Sequence, residues 1–243
     1  MTISQSSLSK LRLPNHIADG ARAKLDFDFA CQRGHSFGEY HVHGVVNEIL
    51  CSNLDPTCHR VRSGFAHPDL QTPGASGRRR EVDFAVELLG NEMVAFCAEV
   101  KWAGSSHCSQ ENVLLDLCRL QLIKNVNPKT DCVFVLAGSS GQIDKLFSSG
   151  ILEQGTNCLL HRSRTGAGIS QRGATRRTKR FRLEGNCDHA SNLAEMLPNV
   201  SAKIPKLPDS IFSHLLYSTR STQGNARFQS LVWAVEAGDL VEC

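Results

Sequence analysis

Residues 81–102 read EVDFAVELLGNEMVAFCAEVKW, and the fold is decided by how this stretch pairs with itself. Its two halves, Glu81–Leu89 and Met93–Trp102, read as the strands of an antiparallel hairpin. A loop centred on Asn91 pairs Leu89 with Met93, Ala85 with Cys97 and Asp83 with Glu99, and directly opposed residues share a face. One face then carries Val82, Phe84, Val86, Leu88, Val94, Phe96, Ala98, Val100 and Trp102, all apolar. The other carries Asp83, Ala85, Glu87, Leu89, Met93, Ala95, Cys97, Glu99 and Lys101. A two-residue Gly90-Asn91 turn would slip the register by one and bury charges among Phe and Val. The hydrophobic pattern therefore selects the register that gathers Asp83, Glu99 and Lys101.

The surrounding chain frames this hairpin. From Gly38 to Leu54 the residues Val42, Val45, Val46, Ile49 and Leu50 recur at helical period. Upstream, Lys24–Ala30 (KLDFDFA) alternates like a short strand, and residues 55–80, rich in Pro, Gly, Ser and Arg, read as a long loop. Downstream, Asn112–Asn125 reads as a helix with a stripe of Val113, Leu114, Leu117, Leu120 and Ile123. Asp131–Ala137 is a nearly continuous apolar run, the mark of an interior strand, and strand–helix–strand order makes it parallel to Met93–Trp102. Gln142–Phe147 and Ala190–Leu197 read as helices, Pro198, Pro205 and Pro208 punctuate a connector, and Arg227–Val235 reads as a last strand. The expectation is one α/β domain over 1–243: a core at about 38–150, a basic loop at about 162–182, and a C-terminal extension at about 183–243 packing on the core.

Composition narrows the function classes. No apolar run approaches the roughly 18 residues of a membrane span, and the N-terminus MTISQSSLSKLRLP lacks an apolar signal core, so a cytoplasmic protein without membrane partners is expected. The ten cysteines show no C-x-x-C pair, which points to reduced, small buried side chains rather than a disulfide framework. Cys31/His35, His41/His43 and Cys58/His59 lack the paired spacing of a structural zinc site. The net charge is only +3, yet Arg162–Arg182 holds eight basic residues and no acidic one, interleaved with Gly, Ser and Thr. Such a segment suits phosphate contact, with Arg176, Arg177, Lys179 and Arg180 as the nucleic-acid-binding candidates; the ordinary alternative is a solvated loop.

The order helix, hairpin carrying Asp83…Glu99-x-Lys101, helix, strand resembles the PD-(D/E)xK, or restriction-endonuclease-like, nuclease superfamily over about Gly38 to Ala137. Val82 stands where that family's name places proline. The resemblance implies a central mixed β-sheet flanked by helices and metal-dependent hydrolysis of phosphodiester bonds, in DNA rather than RNA. It also implies Mg²⁺ (or Mn²⁺) as cofactor and admits a homodimer. The residue types suit that chemistry: Asp83 and Glu99 are hard oxygen ligands for such an ion, and Lys101 on the same face can orient water and stabilise phosphate charge. The resemblance adds the carbonyl of Val100 as a third ligand and a glutamate from the first core helix. At 100° per residue Glu39 lies within about 50° of the centre of the apolar stripe and Glu48 roughly 130° away, so Glu39 is preferred and Glu48 kept in reserve. A helix-terminal acid is the plain alternative for Glu39, as a cross-strand salt bridge is for the trio. A non-catalytic nucleic-acid-binding or assembly module on the same fold is the competing function.

Overall fold

The computed structural model describes residues 12–71, 79–90, 93–155, 157–162, 178–219 and 227–238. Asn91, on which the expected hairpin loop centres, and Arg176 and Arg177 of the basic segment lie outside the described residues. Seven strands form one mixed sheet: β1 (His59–Ala66), β2 (Glu81–Leu88), β3 (Met93–Trp102), β4 (Asp131–Ser139), β5 (Lys179–Arg182), β6 (Ser210–Ser218) and β7 (Phe228–Val235). Their order is β1-β2-β3-β4-β7-β6-β5, with β3 and β4 parallel and every other neighbour antiparallel.

Helices cover both faces. On one side α1 (Leu13–Ala30) and α2 (Glu39–Asn53) bury Leu13, Ile17, Val42, Val46 and Leu50 against Phe84, Phe96, Ala98, Val100 and Val133. On the other, α3 (Gln110–Val126) packs Leu114 and Leu117 with Ala85, Cys97 and Phe134. The short α4 (Ser140–Leu146) starts at a Ser139/Gln142 capping box, and α5 (Ala190–Ser201) packs against α3 from outside. Enclosed between sheet and α5, α3 buries far more than the expected stripe, including Asp116, Gln121 and Lys124. Among the described residues no helix is long and apolar enough to cross a membrane.

Three segments differ from the sequence expectation. Residues 24–30 belong to α1: the Leu25/Phe27/Phe29 alternation is incidental, because Leu13, Ile17, Ala21, Leu25 and Asp28 form the buried face, and Arg22–Asp26 and Lys24–Asp28 pair one turn apart. The 55–80 stretch contains β1, an edge strand whose charged Arg60 and Arg62 pair with Glu87 of β2. The C-terminal third does not pack on a finished core. Its β7 hydrogen-bonds to β4 and carries β6 and β5 with it, completing the sheet.

The hairpin departs from ideal in two places that shape everything near Asp83. Ala85 faces Cys97 as the hydrophobic pattern requires, but Ala95 is bulged out, so Leu88 rather than Leu89 faces Met93. The bulge sends Val94 to the α3-side core and Ala95 to the other. At the opposite end, the β2–β3 pairs run only as far as Phe84–Ala98. Asp83 lies across from Gly64, whose φ of +60° puts a left-handed kink in β1. Val82 and Phe84, two residues apart, consequently face opposite cores.

Candidate active site

Where β2 leaves β3, one backbone unit of β3, at Val100, is left without a β2 backbone partner on that edge. The N–H of Val100 donates to Asp83 Oδ2 at 2.7 Å, and Nε2 of His43 lies 3.3 Å from the Val100 carbonyl and 3.5 Å from the same Asp83 oxygen. Asp83 therefore does not sit in a ladder pair with Glu99; its carboxylate takes the hydrogen bond that a continued β2 backbone would have taken. His43 comes from α2, one turn beyond Glu39, so both project along the same flank of the helix.

Glu99 and Lys101 point to the α3 side of β3 and are nearly enclosed, at 1% and 8% exposure. Lys101 Nζ is 3.3 Å from Glu39 and 3.1 Å from Asp116, so helices from opposite faces of the sheet meet at one ammonium. Arg119, one turn along α3, is 3.2 Å from Asp116 and 3.7 Å from Glu99. The result is a chain of alternating charge: Glu39, Lys101, Asp116, Arg119, Glu99. With Asp83, four carboxylates meet two cations, a formal surplus of two negative charges when every carboxylate is ionised.

Burial pushes Glu99 well above the ordinary glutamate value, and the nearby Asp116 and Asp83 push it further. Asp116 is raised by its burial too, against the pull of Lys101 and Arg119. Burial alone would lower Lys101, but Asp116, Asp83, Glu39 and Glu99 together lift it far above the ordinary lysine value. This lysine keeps its proton at any physiological pH. Cys108 lies in the same field; burial pushes its thiol up to about 12, so it is present as a thiol and not a nucleophilic thiolate.

The fold fixes these groups from behind. Asp28, at 1% exposure, accepts from Lys24 at 3.1 Å and Arg33 at 3.3 Å and lies 3.3 Å from His41 Nε2, tying the end of α1 to the start of α2. Glu39 is thereby held at the sheet, whereas Glu48 is exposed.

The remaining sequence candidates lie elsewhere. Lys179 and Arg180 are on β5, four strands from β3, roughly 19 Å away at strand spacing. Arg180 is engaged by Ser210 and lies over Phe212. Gln121, a buried polar residue of α3, braces β6 and β7 through Phe212 N–H and the Glu236 carbonyl. One member of the cluster, His43, escapes sequence reasoning, although its i,i+4 spacing from Glu39 signals it. Asp116 and Arg119 read from sequence as an ordinary pair on the helix after the hairpin; the sign of more is that Asp116 is a carboxylate on the apolar phase of α3, between Val113 and Leu120.

The donor set suits a small hard cation in type rather than as a finished cage. Among the described residues no three His, Cys, Asp or Glu side chains converge at metal-binding distances. Yet Oε1 of Glu99 and Oε2 of Glu39 are buried without a hydrogen-bond partner there, and Mg²⁺ commonly takes one or two carboxylates and keeps several waters. No family model, no curated protein and no solved structure matches this chain.

Proposed function

We propose that this chain is a metal-dependent nuclease, hydrolysing phosphodiester bonds of nucleic acid, DNA in preference to RNA, on a restriction-endonuclease-like core. The observation that carries the reading is the break between β2 and β3, which leaves the Val100 carbonyl beside Asp83 while Glu99 and Lys101 flank it on the next residues. The formal surplus of two negative charges, present when all four carboxylates are ionised, matches one divalent cation.

Asp83, Glu99 and the Val100 carbonyl would hold Mg²⁺ or Mn²⁺, with His43 next to two of these three. When bound, such an ion acidifies a coordinated water and neutralises charge on the phosphate. Lys101, its proton favoured by the surrounding carboxylates, would donate hydrogen bonds, orienting water and offsetting the charge that develops on phosphate oxygens. Glu39 and Asp116 fix the position of that ammonium from two sides. Arg119, about one-fifth exposed, is the nearest second cation for a phosphate.

The test is cleavage of labelled single- and double-stranded DNA and RNA with Mg²⁺, Mn²⁺ or chelator. Metal-dependent cleavage that disappears in Asp83→Ala and Lys101→Met variants with native circular dichroism is expected. Binding without cleavage under every divalent ion would replace this reading by a non-catalytic nucleic-acid-binding module; the ion pairs that already close the cluster around Glu99 and Asp116 are what such a module would retain.

A further inference from the structure

The two cations of the cluster are engaged differently. Lys101 Nζ stands 3.3 Å from Glu39 and 3.1 Å from Asp116, between two carboxylates from opposite faces of the sheet. Arg119 carries its N–H donors in a rigid planar fork, and the hydrogen bond it makes among the described residues runs from Nη1 to Asp116 Oδ1 at 3.2 Å. The same Nη1 is 3.7 Å from Glu99 Oε1, too long for a hydrogen bond and close enough for attraction. Nε of Arg119 is buried without a hydrogen-bond partner among the described residues. The Nε/Nη2 side of the fork, the side that grips carboxylates and phosphates bidentately, thus has no acceptor for its Nε. A guanidinium held at one end, with a buried donor unmatched at the other, is short of one anion.

We propose that the open side of Arg119 takes a phosphate of the nucleic-acid strand, and that its pull on Glu99 makes the strand and the divalent cation bind cooperatively. The proposal rests on the nuclease reading and deepens it by assigning a regulation to the same site. With no cation present, Arg119 is shared between Asp116 and Glu99. A divalent ion on Glu99 has the same sign of charge as Arg119 and takes away its second carboxylate. The guanidinium, left with Asp116 alone, then favours an incoming anion. A phosphate that shares one ion with Glu99 stands beside the carboxylate Arg119 already faces. Such coupling is reciprocal: the strand raises the affinity for the ion by the factor with which the ion raises the affinity for the strand.

Wild type, Arg119→Gln and Arg119→Lys are compared by calorimetric titration with Mn²⁺ and by fluorescence anisotropy of a phosphorothioate oligonucleotide, which keeps the backbone charge and resists cleavage. Without the strand, Arg119→Gln should bind Mn²⁺ about tenfold more tightly than wild type, because one repelling unit charge is gone. In saturating Mn²⁺ it should bind the oligonucleotide about tenfold more weakly, with a salt dependence lower by about one phosphate contact. In chelator the two should bind it alike. Arg119→Lys should keep the wild-type affinity for Mn²⁺ and lose part of the affinity for the oligonucleotide, having the charge without the fork. A merely structural role would weaken both ligands, whereas this one moves them in opposite directions. If Arg119→Gln binds Mn²⁺ no more tightly, or if either variant in Mn²⁺ binds the oligonucleotide as well as wild type does, the proposal is overturned and the nuclease reading stands. Should Arg119→Gln not fold, the oligonucleotide affinity of Arg119→Lys decides. If wild type binds ion and strand yet leaves an ordinary phosphodiester strand uncut, the nuclease reading falls and the same titrations still decide the role of Arg119. If wild type binds neither, both fall.

Discussion

Replacing Glu99 by glutamine keeps the shape of the side chain and removes its charge. In the protein without metal this should stabilise the fold. Glu99 is 1% exposed, its Oε1 has no hydrogen-bond partner among the described residues, and its nearest cation, Arg119, is 3.7 Å away and already engaged by Asp116. Holding one ion out of water costs on the order of several kcal/mol, and Arg119 keeps Asp116 as its partner when the Glu99 charge is gone. With partial compensation by Arg119 a gain of about 2 kcal/mol is expected, or roughly 4–8 °C in Tm for a chain of this size. The sign with pH follows from the raised value. Native Glu99 keeps its proton to a higher pH than the unfolded chain does, so wild-type stability falls as pH rises from the ordinary glutamate value toward the raised one. Glu99→Gln lacks that loss, and the gap between the two proteins should widen over the same range. The assay is thermal or urea unfolding in chelator from about pH 4 to 8, repeated in excess Mg²⁺ or Mn²⁺. Wild type should recover stability with the divalent ion, by about 2.7 kcal/mol at a hundredfold excess over Kd, and Glu99→Gln should recover much less. A glutamine variant that melts below wild type in chelator at pH 7–8, or one that gains as much from Mg²⁺, would refute the argument.

Three further outcomes test the frame around the cluster. Asp28→Asn should cost about 1–2 kcal/mol near neutrality, discounted because Lys24 and Arg33 are well exposed. Although burial acts to raise it, Lys24, His41 and Arg33 leave Asp28 below its ordinary value, so the cost should be present above pH of about 4 and vanish as acid protonates the wild-type carboxylate; chemical unfolding at pH 7 and pH 3 checks this. Gln121→Leu strips the partners from Phe212 N–H and the Glu236 carbonyl and should cost about 2–4 kcal/mol by urea unfolding while leaving metal-dependent activity of the folded fraction unchanged. Gly64→Val forces a β-branched side chain into a left-handed backbone opposite Asp83, and should cost about 1–2 kcal/mol and lower metal-dependent cleavage together.

Part of the hairpin was legible in residues 81–102: Ala85 faces Cys97 as the hydrophobic pattern requires, whereas the expected pairs Leu89–Met93 and Asp83–Glu99 do not form. Helical phase likewise separated Glu39 from Glu48. What the pattern could not supply was the break at Phe84–Ala98. Period-two alternation continues unbroken through Val82, whereas the kink comes from Gly64, on a strand hidden in a Pro/Gly/Arg-rich stretch. The position of Asp83 against the Val100 amide depends on that kink, and so lay beyond local pattern. Strands β5 and β6 were missed for a related reason. Their pairing partners are far along the chain, and β6 is only partly buried along its second half, so local alternation is weak. The helical identity of residues 24–30 was masked by a run that satisfies both periods at once.

The strand order has a bearing on how the protein comes to be made. Every charged residue of the cluster is synthesised by position 119, and β4 soon after, but the far edge of β4 stays bare until β7 arrives nearly a hundred residues later. During that interval a flat, two-sided apolar strand reading DCVFVLAGS is open to any other strand. The nascent chain thus carries its chemistry early and its safety late, and a fragment ending near residue 150 would hold all the groups of the site on a sheet prone to pair with itself.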